Sequence, residues 1–137
     1  MTEISLNILD VAENSTRAGA SLVEISVLVD TRADRLTVII KDDGCGMTKE
    51  QLTQAEDPFY TTRTVGLGVP FFKMAALSAD GDFRIDSKVG EGTVVQAEFR
   101  LNHIDRMPLG DISGTIYTLI HFHPEADFCY TYRYDDR

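Results

Sequence analysis

Apolar residues recur along the chain in blocks whose spacing switches from helical to alternating and back. Ile8, Leu9, Val11, Ala12 and Ala18 share one helical face, so a helix is predicted over 5–18, with Gly19 as its stop. Two β-rich runs follow, 21–29 and 35–41. The polar Asp30-Thr31-Arg32-Ala33-Asp34 between them reads as the turn of a hairpin. The second run leads straight into Asp42-Asp43-Gly44-Cys45-Gly46-Met47. Thr48, with Gln51 three residues on, then makes a capping-box start for a short helix ending near residue 55. Residues 56–66 break the periodicity with Pro58 and three threonines. A helix is next predicted over 69–77 with Pro70 in its first turn. Strands at 82–87 and 93–101 flank the turn Lys88-Val89-Gly90-Glu91-Gly92.

This order suits an α+β fold, a two-layer sandwich with helices on one face of a mostly antiparallel, mixed sheet. The tail adds a predicted helix over 111–121 and an aromatic strand over 127–134. Phe128, Tyr130, Tyr132 and Tyr134 share one face of that strand, a packing surface for this domain or for a partner. The strand has no evident neighbour in the sequence, which predicts completion by a partner or by further chain of a longer protein. The chain divides into a domain over 1–101 and an extension over 102–137, a helix plus a strand packed on the same domain.

Composition narrows the setting. The 137 residues, 43% hydrophobic, suffice for one core. No apolar stretch approaches the roughly 20 residues of a membrane helix. Met1-Thr2-Glu3-Ile4 has neither the basic start nor the apolar run of a secretion signal, so a cytoplasmic protein away from membranes is expected. Thirteen Lys and Arg against 22 Asp and Glu give a net charge of −9, which repels a nucleic-acid backbone. A nucleotide remains compatible, because backbone amides and a magnesium ion hold phosphates inside acidic proteins. Cys45 and Cys129 do not form a disulfide framework. His121 and His123 are two apart and point to different helix faces, so zinc is not expected.

Four segments carry candidate chemistry. Asp10 and Asn14, four apart, project from one helix face, where a carboxylate and an amide oxygen can position a water and Mg²⁺ beside a triphosphate. Arg17, three residues on, can face a phosphate. Asp43-Gly44-Cys45-Gly46-Met47 places an aspartate at a strand end, where it can accept from an adenine amino group, with glycines that let the backbone approach a flat base. Gly66-Leu67-Gly68-Val69 opens a helix and offers backbone N–H groups to anions. Gly90-Glu91-Gly92-Thr93 reads as a hairpin turn. Each segment alone is equally a solvated face or a tight turn.

In this order the four resemble the N, G1, G2 and G3 boxes of the GHKL superfamily. Histidine kinases, mismatch-repair ATPases and type II topoisomerases share that nucleotide domain, the Bergerat fold. The loop Glu56-Asp57-Pro58-Phe59-Tyr60-Thr61-Thr62-Arg63 looks like the F box of histidine kinases. Glu13-Asn14-Ser15 with Ala18-Gly19-Ala20 looks more like the mismatch-repair branch. The resemblance spans about residues 6–101. It implies Asn14 as Mg²⁺ ligand, Asp43 on the adenine amino group, and Gly44, Gly46 and Met47 around the base. It implies Gly66, Leu67 and Gly68 as phosphate-binding amides, Thr93 beside the adenine and Arg17 towards the phosphates. Lys73 matches a common basic position and reads as a solvated lysine.

Departures from the family pattern matter as much. Asp10 stands where the hydrolytic branches carry a glutamate as general base, one methylene longer. A base must come within about 2.6–3.2 Å of its proton, directly or through one water. Glu13 points about 100° away from Asn14. No long lid fits between Phe59 and Gly66, and nothing around His103, His121 or His123 resembles a phosphoacceptor box. The expected function is Mg-ATP binding by a stand-alone histidine kinase-like ATPase domain. It acts as a nucleotide-dependent switch or a kinase-like module, including the anti-sigma serine kinase type. The alternatives are a fragment of a mismatch-repair-like ATPase clamp and a nucleotide-free interaction module. ATP and a protein are the implied partners, and homodimerisation is open.

Overall fold

A computed structural model describes residues 3–55 and 68–135. The elements run α1 (Ile4–Arg17), β1 (Leu22–Asp30), β2 (Arg35–Asp42), α2 (Lys49–Ala55), α3 (Gly68–Ser78), β3 (Asp82–Lys88), β4 (Gly92–Arg100), α4 (Ile112–Phe122) and β5 (Asp127–Tyr134). Local chemistry sets the ends. Gly19 stops α1 at φ +77, with its N–H on the Thr16 carbonyl. Thr48 and Gln51 cap α2 reciprocally: each backbone N–H donates to the other's side-chain oxygen, at 3.0 and 3.2 Å. Asp111 caps α4 by accepting from the Gly114 N–H.

The strands form one sheet in the order β3-β4-β2-β1-β5. Pairings are antiparallel except for β1 with β5, which is parallel. Alternation makes one face apolar: Val23, Ile25, Val27 and Val29 of β1 lie beside Leu36, Val38 and Ile40 of β2, all buried. Against this face pack Ile4, Ile8, Val11 and Ala12 of α1 with Val69, Phe72 and Ala76 of α3. Phe72 is fully buried, its ring 5.9 Å from that of Phe99 and 6.5 Å from that of Phe83. α1 is central in the helix layer, between α3 and α4. The fold is therefore the α+β two-layer sandwich that the sequence predicts, with helices covering one sheet face.

The tail strand corrects an expectation. β5 finds its neighbour inside the chain, pairing in parallel with β1 from Leu22↔Asp127 to Val29↔Tyr134. A parallel pair needs a long crossover, so local sequence carries no signal for it. The register puts Phe128, Tyr130, Tyr132 and Tyr134 on the helix side. Phe128 and Tyr130 pack against the core, while Tyr132 and Tyr134 stay exposed. Among the described residues no helix is long and apolar enough to cross a membrane.

Candidate functional site

The inward face of β2 ends in a charge. Asp42 continues the Leu36, Val38, Ile40 alternation and is 9% exposed. Its Oδ2 accepts from Ser15 Oγ at 2.6 Å, and its Oδ1 from the Gly44 N–H at 2.9 Å. Across β2 and β4 it pairs with Thr93. Thr93 Oγ1 lies 2.7 Å from Ser87 Oγ, which in turn accepts from the Met47 N–H at 2.8 Å. A polar cluster thus gathers Ser15, Asp42, Gly44, Met47, Ser87 and Thr93 at one end of the sheet.

Asp43, the residue to which the sequence points, faces outward and is exposed. Its carboxylate accepts from the Ser21 hydroxyl at 2.6 Å and from the N–H groups of Ser21 and Leu22 at 2.8 and 2.9 Å. These bonds, the Ser21 hydroxyl foremost, hold the Asp43 carboxyl below its ordinary value. Asp43 therefore staples the start of β1 to the end of β2. The carboxylate on the buried side is Asp42, and the available signal was the period of two that carries residues 36, 38, 40 and 42 inward.

The turn after it is shaped by the chain's own contacts. Gly46 has φ +74, and a Cβ there would run into the Lys88 carbonyl, so only glycine fits. The Gly90 N–H donates to the Cys45 carbonyl at 2.8 Å, locking this turn to the β3–β4 turn.

Across from the sheet end, α1 presents Asp10, Asn14 and Arg17. Asn14 Oδ1 accepts from Arg17 at 3.2 Å. Asp10 is partly buried beneath the first residue of α3: a Cβ on Gly68 would sit 2.8 Å from Asp10 Cβ. Burial raises the Asp10 pKa and the charge of Glu13 adds to this, while Arg17 opposes it. A carboxylate with raised affinity for protons has the character of a base. Ser15 joins α1 to Asp42, and Gly68 packs on Asp10 of the same helix, so α1 touches both the end of β2 and the start of α3. Gly66, Leu67 and the F-box-like loop 56–63 lie outside the described residues.

Glu13 takes another direction. Its Oε2 is 2.9 Å from His123 Nε2, and His123 Nδ1 is 3.2 Å from Glu125 Oε1. Burial alone would lower the His123 pKa, but the two carboxylates outweigh it and raise it. The C-cap of α4 is thereby fastened to the residue before Asn14, a long-range link without a local signature. Among the described residues, no group of three or more His, Cys, Asp or Glu could hold a metal.

Comparison with known proteins bears on the family and the fold. The family model for histidine kinase-, DNA gyrase B-, and HSP90-like ATPase matches residues 1–103. Sporulation kinase C of Bacillus subtilis is 30% identical over 90 residues, covering 64% of this chain and 21% of that protein. The non-motile and phage-resistance protein of Caulobacter vibrioides is 33% identical over 113 residues, 76% of this chain and 13% of its own length. The chain thus spans a small part of these curated relatives. The Aquifex aeolicus MutL ATPase domain complexed with ADP shares the fold, with a TM-score of 0.56 over 96% of this chain and 60% of that one at 15% identity.

Proposed function

The chain belongs to the histidine kinase-, DNA gyrase B-, and HSP90-like ATPase family and is an ATP-binding, kinase-like ATPase domain, and from that premise we propose that Asp42, not Asp43, reads the adenine of Mg-ATP. The observation that carries this reading is the Asp42 carboxylate. It is buried, yet among the described residues two of its roughly four acceptor positions are used, by Ser15 and Gly44. The Asp43 carboxylate already accepts three hydrogen bonds and faces solvent. An adenine amino group donates to Asp42, with the Thr93–Ser87 hydroxyl pair beside it. The ADP in the MutL structure supports a nucleotide in this fold.

Asn14 Oδ1 would hold the Mg²⁺ that accompanies the nucleotide, with Arg17 turned from that oxygen to a phosphate. The ion, when bound, neutralises phosphate charge and polarises the terminal phosphoryl group. Gly68 offers its N–H to the phosphates at the start of α3. Asp10 holds the proton of a water or acceptor hydroxyl near the same end of α1. The kinase names of several relatives support phosphoryl transfer to a protein acceptor, on this or another chain. The short arm of Asp10 disfavours rapid hydrolysis.

Calorimetric titration with Mg-ATP and Mg-GTP tests the reading. Guanine carries a carbonyl where adenine carries the amino group, so acceptor would face acceptor at Asp42. GTP should bind at least tenfold more weakly. Equal affinity for the two nucleotides removes the role of Asp42. Steady phosphate release that vanishes in Asp10→Ala would instead favour a hydrolytic clamp.

A further inference from the structure

The uncovered face of the sheet carries a second concave region. A cleft of about 960 Å³ lies where the β1–β2 hairpin meets the end of β5, lined by Leu28, Thr37, Arg32, Arg35 and Arg133 with Asp30 and Asp135. Asp42 is at the opposite end of β2, and its side chain lies on the helix-covered face. Eight residues of strand separate the two ends, roughly 25 Å at about 3.3 Å per residue.

The cleft is a built feature. Thr31 donates through both its N–H and its hydroxyl to Asp135, at 2.8 and 2.9 Å, and the Asp135 N–H donates to the Val29 carbonyl. Asp30 Oδ1 accepts the N–H groups of Arg32 and Ala33 at 3.1 Å. On the other flank, Asp34 holds Arg100 and Asn102. Both lining carboxylates thus accept hydrogen bonds from the hairpin, from backbone N–H groups and the Thr31 hydroxyl, and they hold its tip in place. The guanidinium groups of Arg32, Arg35 and Arg133 are exposed and make no ion pair or hydrogen bond among the described residues.

Three unpaired arginines around one cleft stand out in a chain of net charge −9. The register sets Arg133 beside Leu28, with Thr37 on its other side and Arg35 one row further along. Arg133 and Arg35 therefore stand two strands across and one row along, about 12 Å at the usual spacings, within reach of long side chains that converge on one ligand. Guanidinium forks match phosphate and carboxylate oxygens, and Leu28 offers an apolar floor. We propose that this cleft binds a small organic molecule carrying two or more phosphate or carboxylate groups, at a site separate from the nucleotide.

The test uses the full chain saturated with Mg-ADP, so that the nucleotide region is filled. Sodium tripolyphosphate and citrate are titrated separately while amide and arginine Nε NMR signals are followed. Saturable shifts are expected at Leu28, Thr37 and Arg133, weakening as NaCl is raised. The arm with the tighter binding distinguishes phosphate from carboxylate chemistry. The Arg35→Gln/Arg133→Gln variant should lose at least tenfold in affinity. Arg133→Lys, which keeps the charge and loses the fork, should fall between the two and guards against misfolding of the double variant. Shifts confined to the Asn14–Gly44 side, or affinity unchanged in both variants, overturn the proposal. So does binding of a hexaglutamate peptide when neither small anion binds, an outcome that makes the cleft a protein-docking surface.

Discussion

Two adjacent aspartates with opposite environments give the sharpest prediction. Replacing Asp42 by Asn keeps its shape and removes its charge. The Gly44 N–H cannot turn, so the Asn carbonyl must take the Oδ1 position 2.9 Å from it. The amide NH₂ then faces Ser15 Oγ at 2.6 Å, and that hydroxyl can rotate to accept. The fold survives the exchange, but the adenine amino group now meets a neutral acceptor. A hydrogen bond to a charged group contributes about 1.5–3 kcal/mol and a neutral one about 0.5–1.5. The difference, about 1–1.5 kcal/mol, weakens Kd roughly five- to twelvefold. Asp42→Ala removes the acceptor altogether and should weaken Kd by about ten- to a hundredfold.

Asp43→Asn is the matched control. Its bonds run to Ser21 and Leu22, so it should affect the start of β1 and leave Kd within about twofold of wild type. Calorimetric titration of Mg-ATP into wild type, Asp42→Asn, Asp42→Ala and Asp43→Asn, each checked by circular dichroism, measures all three effects. If Asp43→Asn loses affinity while Asp42→Asn keeps it, the parity argument that places residue 42 inward is refuted as a guide to the ligand.

Three further outcomes follow from the packing and the charges. Asp10 has a raised pKa in the folded chain, so its stability contribution is complete below the ordinary value of 3.8 and is lost as pH rises through the shifted value; Asp10→Asn should raise Tm at pH 7 and be neutral at pH 3, and a lower Tm at pH 7 would contradict this. His123 is also raised, so its links to Glu13 and Glu125 stabilise fully below pH 6.5 and fade as pH rises through the folded value. His123→Gln should cost about 1 kcal/mol in urea unfolding at pH 6 and less at pH 9, and an equal loss at both would remove the imidazolium from the account. Phe72→Ala, at a fully buried position between Phe83 and Phe99, should cost about 3–5 kcal/mol, measured in the same way, and a loss below 1 kcal/mol would mean that the aromatic cluster is not the centre of the core.

The elements, α4 and β5 included, were legible because their signals are local. Alternation sets β1 and β2, the Thr48–Gln51 box starts α2, and Gly19 ends α1. What escaped was non-local. The β1–β5 pairing joins residues more than 100 positions apart, and His123 reaches Glu13 over 110. Both depend on where the chain returns to, and no local pattern encodes that. The candidate site was legible as a set of segments, and the proposed choice of Asp42 over Asp43 rests on strand parity. A run of two aspartates hides that parity from a motif and reveals it in a register.

Net charge misleads in the same way, because it ignores where each carboxylate is spent. Asp30, Asp34, Asp43 and Asp111 all accept backbone N–H groups and act as turn or cap residues. Asp135 closes the hairpin against β5 and Glu13 is paired with His123. Much of the acidic excess is thus structural, and the field at any one place is set by the few groups left over. Arg17 beside Asn14 is such a place, and the cleft of Arg32, Arg35 and Arg133 is another. A charge of −9 therefore keeps extended polyanions away at long range and still permits compact anions where several arginines are grouped around one cleft.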